Sequence, residues 1–141
     1  MAIVIKNIPY WYSLEVLTAF INYEFNYCYD FLYLPMRTKT LNAGYAIINF
    51  ISHHYLYAFY YRFQGAVWPV QGSKNQYICE LVYSRLQGYE KLVDDYKNNR
   101  MNSSKKSQAI YNRDFTLVNE LIRSQQMYYC WFCLSNMFLY A

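Results

Sequence analysis

"NAGYAIINF", residues 42–50, alternates in steps of two, so Ala46, Ile48 and Phe50 share one face of a strand and Tyr45, Ile47 and Asn49 the other. One face supplies a core. The opposite face carries a tyrosine and an isoleucine, and apolar groups on a second face demand a partner of their own.

Working outward, "AIVIKNIP" (2–9) is β-branched and stops at a proline, which predicts a first strand. Ser13 caps a helix to about Phe25, with Glu15 in its first turn and Leu14, Leu17 and Ile21 at helical spacing. "DFLYLPM" (30–36) is the second strand, followed by the polar, basic loop "RTKTLN" and then the opening stretch as the third. Ser52 caps a second helix lined by Leu56, Phe59 and Phe63 and stopped at Gly65. A loop with Pro69 and Gly72 leads to "YICELVYSR" (77–85), the fourth strand, on which Cys79 and Leu81 point inward. The order βαββαβ, with right-handed crossovers, predicts an α+β ferredoxin-like fold: a four-stranded antiparallel sheet, two helices on one face, the other face open. "GYEKLVDDYKNNR" (88–100) adds a third helix, expected against the sheet's edge or end. The polar run from Lys97 to Gln108 sets the boundary between a domain of residues 1–100 and a linker with an aromatic-rich tail, 101–141.

At 141 residues the chain has room for one such domain and an appendage. A hydrophobic fraction of 55% with 19 tyrosines excludes a disordered composition, and a net charge of +4 favours an anionic partner. Cys28, Cys79, Cys130 and Cys133 do not have the spacing of a secreted disulfide scaffold, and Lys6 and Pro9 interrupt any signal-like run. An intracellular place, nuclear or cytoplasmic, is expected. The tail "YYCWFCLSNMFLYA" falls short of the roughly 18 apolar residues of a membrane span. Its Cys130 and Cys133 have metal or redox spacing, but no second Cys or His pair completes a tetrahedral site. His53 and His54, adjacent on a helix, diverge by about 100° and cannot chelate together. Asp94 and Asp95 are neighbours on a polar helix face, and the chain carries neither nucleophile elbow nor phosphate loop. No catalytic residue, metal or cofactor is expected.

"AGYAIINF" (43–50) fits the third-strand octamer of RNA recognition motifs at Gly44, Tyr45, Ala46 and Phe50, with Ile48 conservative. It lacks the basic first position, at Ala43, and the second aromatic, at Ile47; the first strand presents Val4 where a stacking ring usually stands. Taken in order, "VIKNIP" with Tyr12-Ser13, "YDFLYLP", "GYAIINF", Trp68-Pro69, "YSRLQG" and "LVDDYKNNR" resemble the C-terminal RNA recognition motif of the Mei-two-like RNA-binding regulators of meiosis and development, over residues 2 to about 100. Tyr10-Trp11 depart from it, standing where that family usually has a polar, basic pair, and the loop after Pro35 is one residue shorter. The resemblance implies binding of single-stranded RNA in post-transcriptional regulation.

By strand parity the open face carries Lys6, Phe31, Tyr33, Tyr45, Ile47 and Asn49, with Arg37, Lys39 and Arg85 placed to meet phosphates. Rings serve bases and cations the backbone, as a single-strand binder needs, although Glu80 on the same face works against it. Asn7 is expected to tie down a turn. The competing reading is a protein-interaction module of the same fold, gripping a peptide with Tyr55, Tyr57 and Tyr61, with Trp11, or through the tail. A small ferredoxin-like enzyme is disfavoured because no catalytic constellation is present.

Overall fold

The computed structural model describes residues 1–72, 74–98 and 108–111. Its elements in chain order are β1 (Ala2–Lys6), α1 (Leu14–Phe25), β2 (Tyr29–Leu34), β3 (Tyr45–Phe50), α2 (His53–Phe63), β4 (Glu80–Tyr83), α3 (Tyr89–Lys97) and β5 (Gln108–Tyr111). The predicted serine caps start the first two helices: Ser13 Oγ accepts from the Val16 N–H at 3.2 Å and Ser52 Oγ from the Tyr55 N–H at 3.4 Å.

The strands are antiparallel in the order β4-β1-β3-β2-β5. The central pair sets the register: Lys6 lies opposite Tyr45 and Val4 opposite Ile47, while Lys6 faces Glu80 on the other side of β1. Parity holds. Ile3, Ile5, Ala46, Ile48, Phe50 and Leu81 point to one side and pack with Leu17, Ile21, Phe25, Leu56, Phe59 and Phe63 of the two helices. Tyr55 belongs to this core at 2% exposure, so it is not on the free helix face where the sequence placed it. In "HHYLYAFYYRF" aromatic rings occur all round the helix, and the period alone does not say which of them turns inward.

Two features differ from expectation. The third helix lies on the sheet's second face, not at its edge or end: Leu92 and Val93, with Tyr89 and Tyr96, cover Ala2, Phe31 and Tyr33 in a second apolar cluster. Phe31 and Tyr33, at 0% and 3% exposure, supply the driving force, since burying a large side chain contributes about 1.5–3 kcal/mol. The sheet also has a fifth strand. Gln108–Tyr111 extends it beyond β2, inside the segment expected to be linker and tail, with the Tyr111 ring 5.8 Å from that of Tyr96 and Lys97 Nζ 5.6 Å above it. The expectations for Cys130, Cys133 and the aromatic tail lie outside the described residues.

Candidate nucleic-acid interface

With α3 seated, the second face is only partly accessible. Phe31 and Tyr33 are buried beneath it, Ile47 is half-buried against the same cluster and Asn49 is buried, so the expectation of an open face fails across β2 and the middle of β3. Asn49 is engaged internally, its Nδ2 donating to Asp30 Oδ1 at 2.7 Å. Arg85 is exposed, but the pairing of Tyr83 with Ile3 carries it past the Ala2 end of the sheet. Lys6 and Tyr45, by contrast, are exposed cross-strand neighbours at the opposite end. Arg37 and Lys39, both exposed, lie on the loop between β2 and β3 at that same end.

There the sheet opens into a groove of about 700 Å³. Val4, Lys6 and Tyr45 belong to its sheet side; Tyr10, Tyr77 and Ile78 come from the loops around it. Those loops are stitched together by buried polar groups. Asn42, fully buried, donates from Nδ2 to the Pro9 and Tyr12 carbonyls, each at 2.9 Å, and accepts at Oδ1 from the Gly44 N–H at 2.7 Å. Its own N–H donates to the Tyr10 carbonyl at 2.8 Å, and the Ile8 N–H to the Gly44 carbonyl at 3.0 Å. Asn7 adopts a φ of +61°, a left-handed conformation that asparagine tolerates, and its Nδ2 donates to the Ile78 carbonyl at 2.8 Å. Its role is thus structural, as the sequence suggested, but the bond reaches 71 positions along the chain and not within one turn.

Gly44 has a structural reason beyond the octamer. Its φ is +89°, and a Cβ there would sit 3.1 Å from Tyr10 Cε1. The octamer glycine therefore admits the Tyr10 ring against the backbone. Tyr77 in turn meets Tyr10 and Trp11 edge to face, with centroids 6.4 and 5.5 Å apart and planes at 88° and 86°. Asn42, Tyr10 and Tyr77 were missed as site residues. Their contacts join segments thirty or more positions apart, and the one local signal was the unexpected Tyr10-Trp11 pair.

The electrostatics are modest. Lys6 brings a cation to the groove and Glu80 stands opposite it in register, so the Arg37 and Lys39 loop is needed to favour an anion. Cys28 and Cys79 are buried thiols, and burial pushes the Cys79 pKa up to about 12, which keeps it un-ionised. Among the described residues no group of three or more His, Cys, Asp or Glu side chains could hold a metal ion, and no helix is long and apolar enough to cross a membrane.

Comparison with known proteins agrees with the fold. The family model described as RNA recognition motif 2 matches residues 1–97. Protein MEI2-like 3 of Arabidopsis thaliana is 37% identical over 110 residues, which cover 77% of this chain and 14% of that protein. Protein MEI2-like 2 of Oryza sativa subsp. japonica is 37% identical over the same length, 77% of this chain and 13% of its own. Protein MEI2-like 5 of the same rice is 37% identical over 106 residues, 74% of this chain and 13% of its own. The matched region thus spans about an eighth of these relatives.

Proposed function

We propose, from the premise that the chain belongs to the RNA recognition motif 2 family, that it binds single-stranded RNA at the loop end of its sheet. The observation that carries this reading is the register pair Lys6 and Tyr45, exposed side by side where the helix cover ends. An aromatic face accepts a base of any identity, and an adjacent ammonium accepts its phosphate. The resemblance to the MEI2-like proteins extends the proposal to post-transcriptional regulation, in meiosis or development. The site offers binding groups and no nucleophile with an adjacent base, so the reading is of a binding module.

The test is a titration of the chain with a pool of short random-sequence single-stranded RNA at several salt concentrations. Tyr45→Ala weakens binding more than Lys6→Ala at any one salt, whereas Lys6→Ala lowers the slope of log affinity against log salt by roughly 0.7, the loss of one phosphate contact. Identical slopes for the two variants would refute this division of roles. Absence of binding by the wild-type chain would refute the reading itself.

One observation favours the second reading, a peptide-binding module of the same fold. Tyr57, Tyr60, Tyr61 and Tyr83 are exposed around a groove of about 330 Å³ between α2 and the edge strand β4. The occupant it fits is an extended apolar peptide laid along β4, although the Leu81 N–H already donates to Gln64 Oε1 at 2.7 Å, which shortens the edge available for pairing. Displayed peptides selected on the wild-type chain and lost with Tyr61→Ala and Tyr83→Ala would establish it; failure to select any would remove it.

A further inference from the structure

The loop side of the groove holds a set of rings that strand parity does not account for. Tyr10 and Trp11, on the loop between β1 and α1, are 46% and 49% exposed; Tyr10 lines the groove together with Tyr45, itself 39% exposed, and Trp11 adjoins it through Tyr77. Tyr77, from the segment that leads into β4, is half-buried and supports both loop rings edge to face. Tyr10 is fixed from below as well, because its ring lies against Gly44. A structural role explains Tyr77, which packs on the core, but not why Tyr10 in the groove and Trp11, on the Tyr77 ring that lines it, both stand half in water. The same end carries Lys6, Arg37 and Lys39 against one carboxylate, Glu80, a net positive pattern that suits a phosphate backbone and not an apolar peptide. Meanwhile the rings that parity assigns to base stacking, Phe31 and Tyr33, are covered by α3.

We infer that Tyr10, Trp11 and Tyr77 form a base-stacking subsite that stands in for Phe31 and Tyr33. The bound single-stranded RNA is shifted from the middle of the sheet to its loop end. One base lies against Tyr45 with its phosphate at Lys6, and the adjoining base reaches the loop rings. The inference rests on the RNA-binding reading above and adds to it where the strand runs and which side chains hold it. The geometry follows from three loops meeting. Asn42 holds the β1–α1 loop to the β2–β3 loop, Asn7 holds the end of β1 to the lead-in of β4, and the rings are thereby presented on a fixed frame. Stacking on a preorganised ring loses little side-chain entropy on binding.

Trp11 is exposed while Trp68 is buried, and with Trp131→Phe in every protein compared, Trp11 becomes the exposed reporter. The experiment titrates the full chain with random-sequence single-stranded RNA hexamers and follows both affinity and tryptophan fluorescence. Wild type, Trp11→Ala, Trp11→Phe, Tyr77→Leu, Tyr45→Ala and the remote Tyr61→Ala are compared. The expected result is RNA-dependent quenching in the wild type that is absent in Trp11→Phe, although Trp11→Phe binds within about threefold of wild type. Trp11→Ala and Tyr77→Leu lose affinity by on the order of 10- to 100-fold with an unchanged salt slope, and Tyr61→Ala binds like wild type. If wild type binds and Tyr45→Ala weakens it, while Trp11→Ala and Tyr77→Leu do not, the RNA lies on the strands alone. The subsite is then wrong and the RNA-binding reading stands. If wild type does not bind, both fail. Should Tyr77→Leu not fold, the exposed Trp11 variants decide the matter alone.

Discussion

Replacing Asn42 by alanine should loosen the frame of the groove at a cost that can be worked out from its partners. The side chain is fully buried and makes three hydrogen bonds, at 2.9, 2.9 and 2.7 Å. The Pro9 carbonyl also accepts from the Tyr12 N–H at 3.0 Å, so it keeps a partner after the substitution. The Tyr12 carbonyl and the Gly44 N–H lose the bond that Asn42 gives them. The buried Tyr12 carbonyl left without that bond costs about 1–3 kcal/mol and the partly buried Gly44 N–H about 1, so Asn42→Ala should destabilise the domain by about 2–4 kcal/mol. That is a large part of the roughly 5–15 kcal/mol typical of a whole domain, and it lowers Tm by about 10–25 °C at this size. The assay is urea unfolding followed by far-ultraviolet circular dichroism, in which the midpoint falls and the slope m is unchanged. Asn42→Asp should be at least as damaging near neutral pH, because it keeps the acceptor, loses both donors and buries a charge. A loss below about 0.5 kcal/mol for the alanine variant would show that water replaces the side chain, and the loops would then have to be held by something other than Asn42.

Three further outcomes are expected. Gly44→Ala should cost about 1–3 kcal/mol through its φ of +89° and the contact with Tyr10 Cε1, and the part due to the contact should disappear in a Tyr10→Ala background, as a double-mutant cycle on unfolding free energies would show. Leu92→Ala, at a fully buried position of α3, should cost about 2–5 kcal/mol and speed amide exchange in α3 more than in β1; equal acceleration in both would show that the helix and sheet open only together. Truncation after Asn98 removes β5 and bares the outer edge of β2, so light scattering should detect concentration-dependent association, which truncation after Tyr111 should not provoke.

The sequence carried the βαββαβ order and the facing of each strand because those rest on local signals. Val4, Lys6, Tyr45 and Ile47 share a face by simple alternation, and Ser13 and Ser52 are caps recognisable from their own surroundings. The seat of α3 was not legible in the same way. Tyr89, Leu92, Val93 and Tyr96 fall at helical spacing and mark an apolar stripe, but a stripe does not say what it covers. Hence Phe31, Tyr33 and Asn49 were assigned correctly to a face and incorrectly to its accessible part. The strand "QAIY" is four residues long beside a polar stretch, too short for alternation to register. The loop groove was hidden for a different reason. Asn42 reaches residues 30 and 33 positions away and Asn7 one that is 71 away, and no pattern within a single segment encodes such a meeting.

The division of the sheet's second face bears directly on how tightly this chain can hold RNA. With Phe31 and Tyr33 covered, the strands offer Tyr45 as a ring and Lys6 as a cation. A stacked base contributes roughly 1–3 kcal/mol, and one phosphate contact adds a salt-dependent increment. The strand face by itself therefore reaches no further than about −4 kcal/mol, a Kd near 1 mM. Two more stacking positions at the loops, at about 2 kcal/mol each, bring the sum to about −8 kcal/mol, a Kd near 1 μM. Those values lie about a thousandfold apart, wider than the uncertainty of the individual contributions. A micromolar Kd for a short oligonucleotide thus requires rings beyond the strands, and among the described residues Tyr10 shares the groove with Tyr45 while Trp11 adjoins it through Tyr77. A millimolar Kd would mean that the loop rings hold no base.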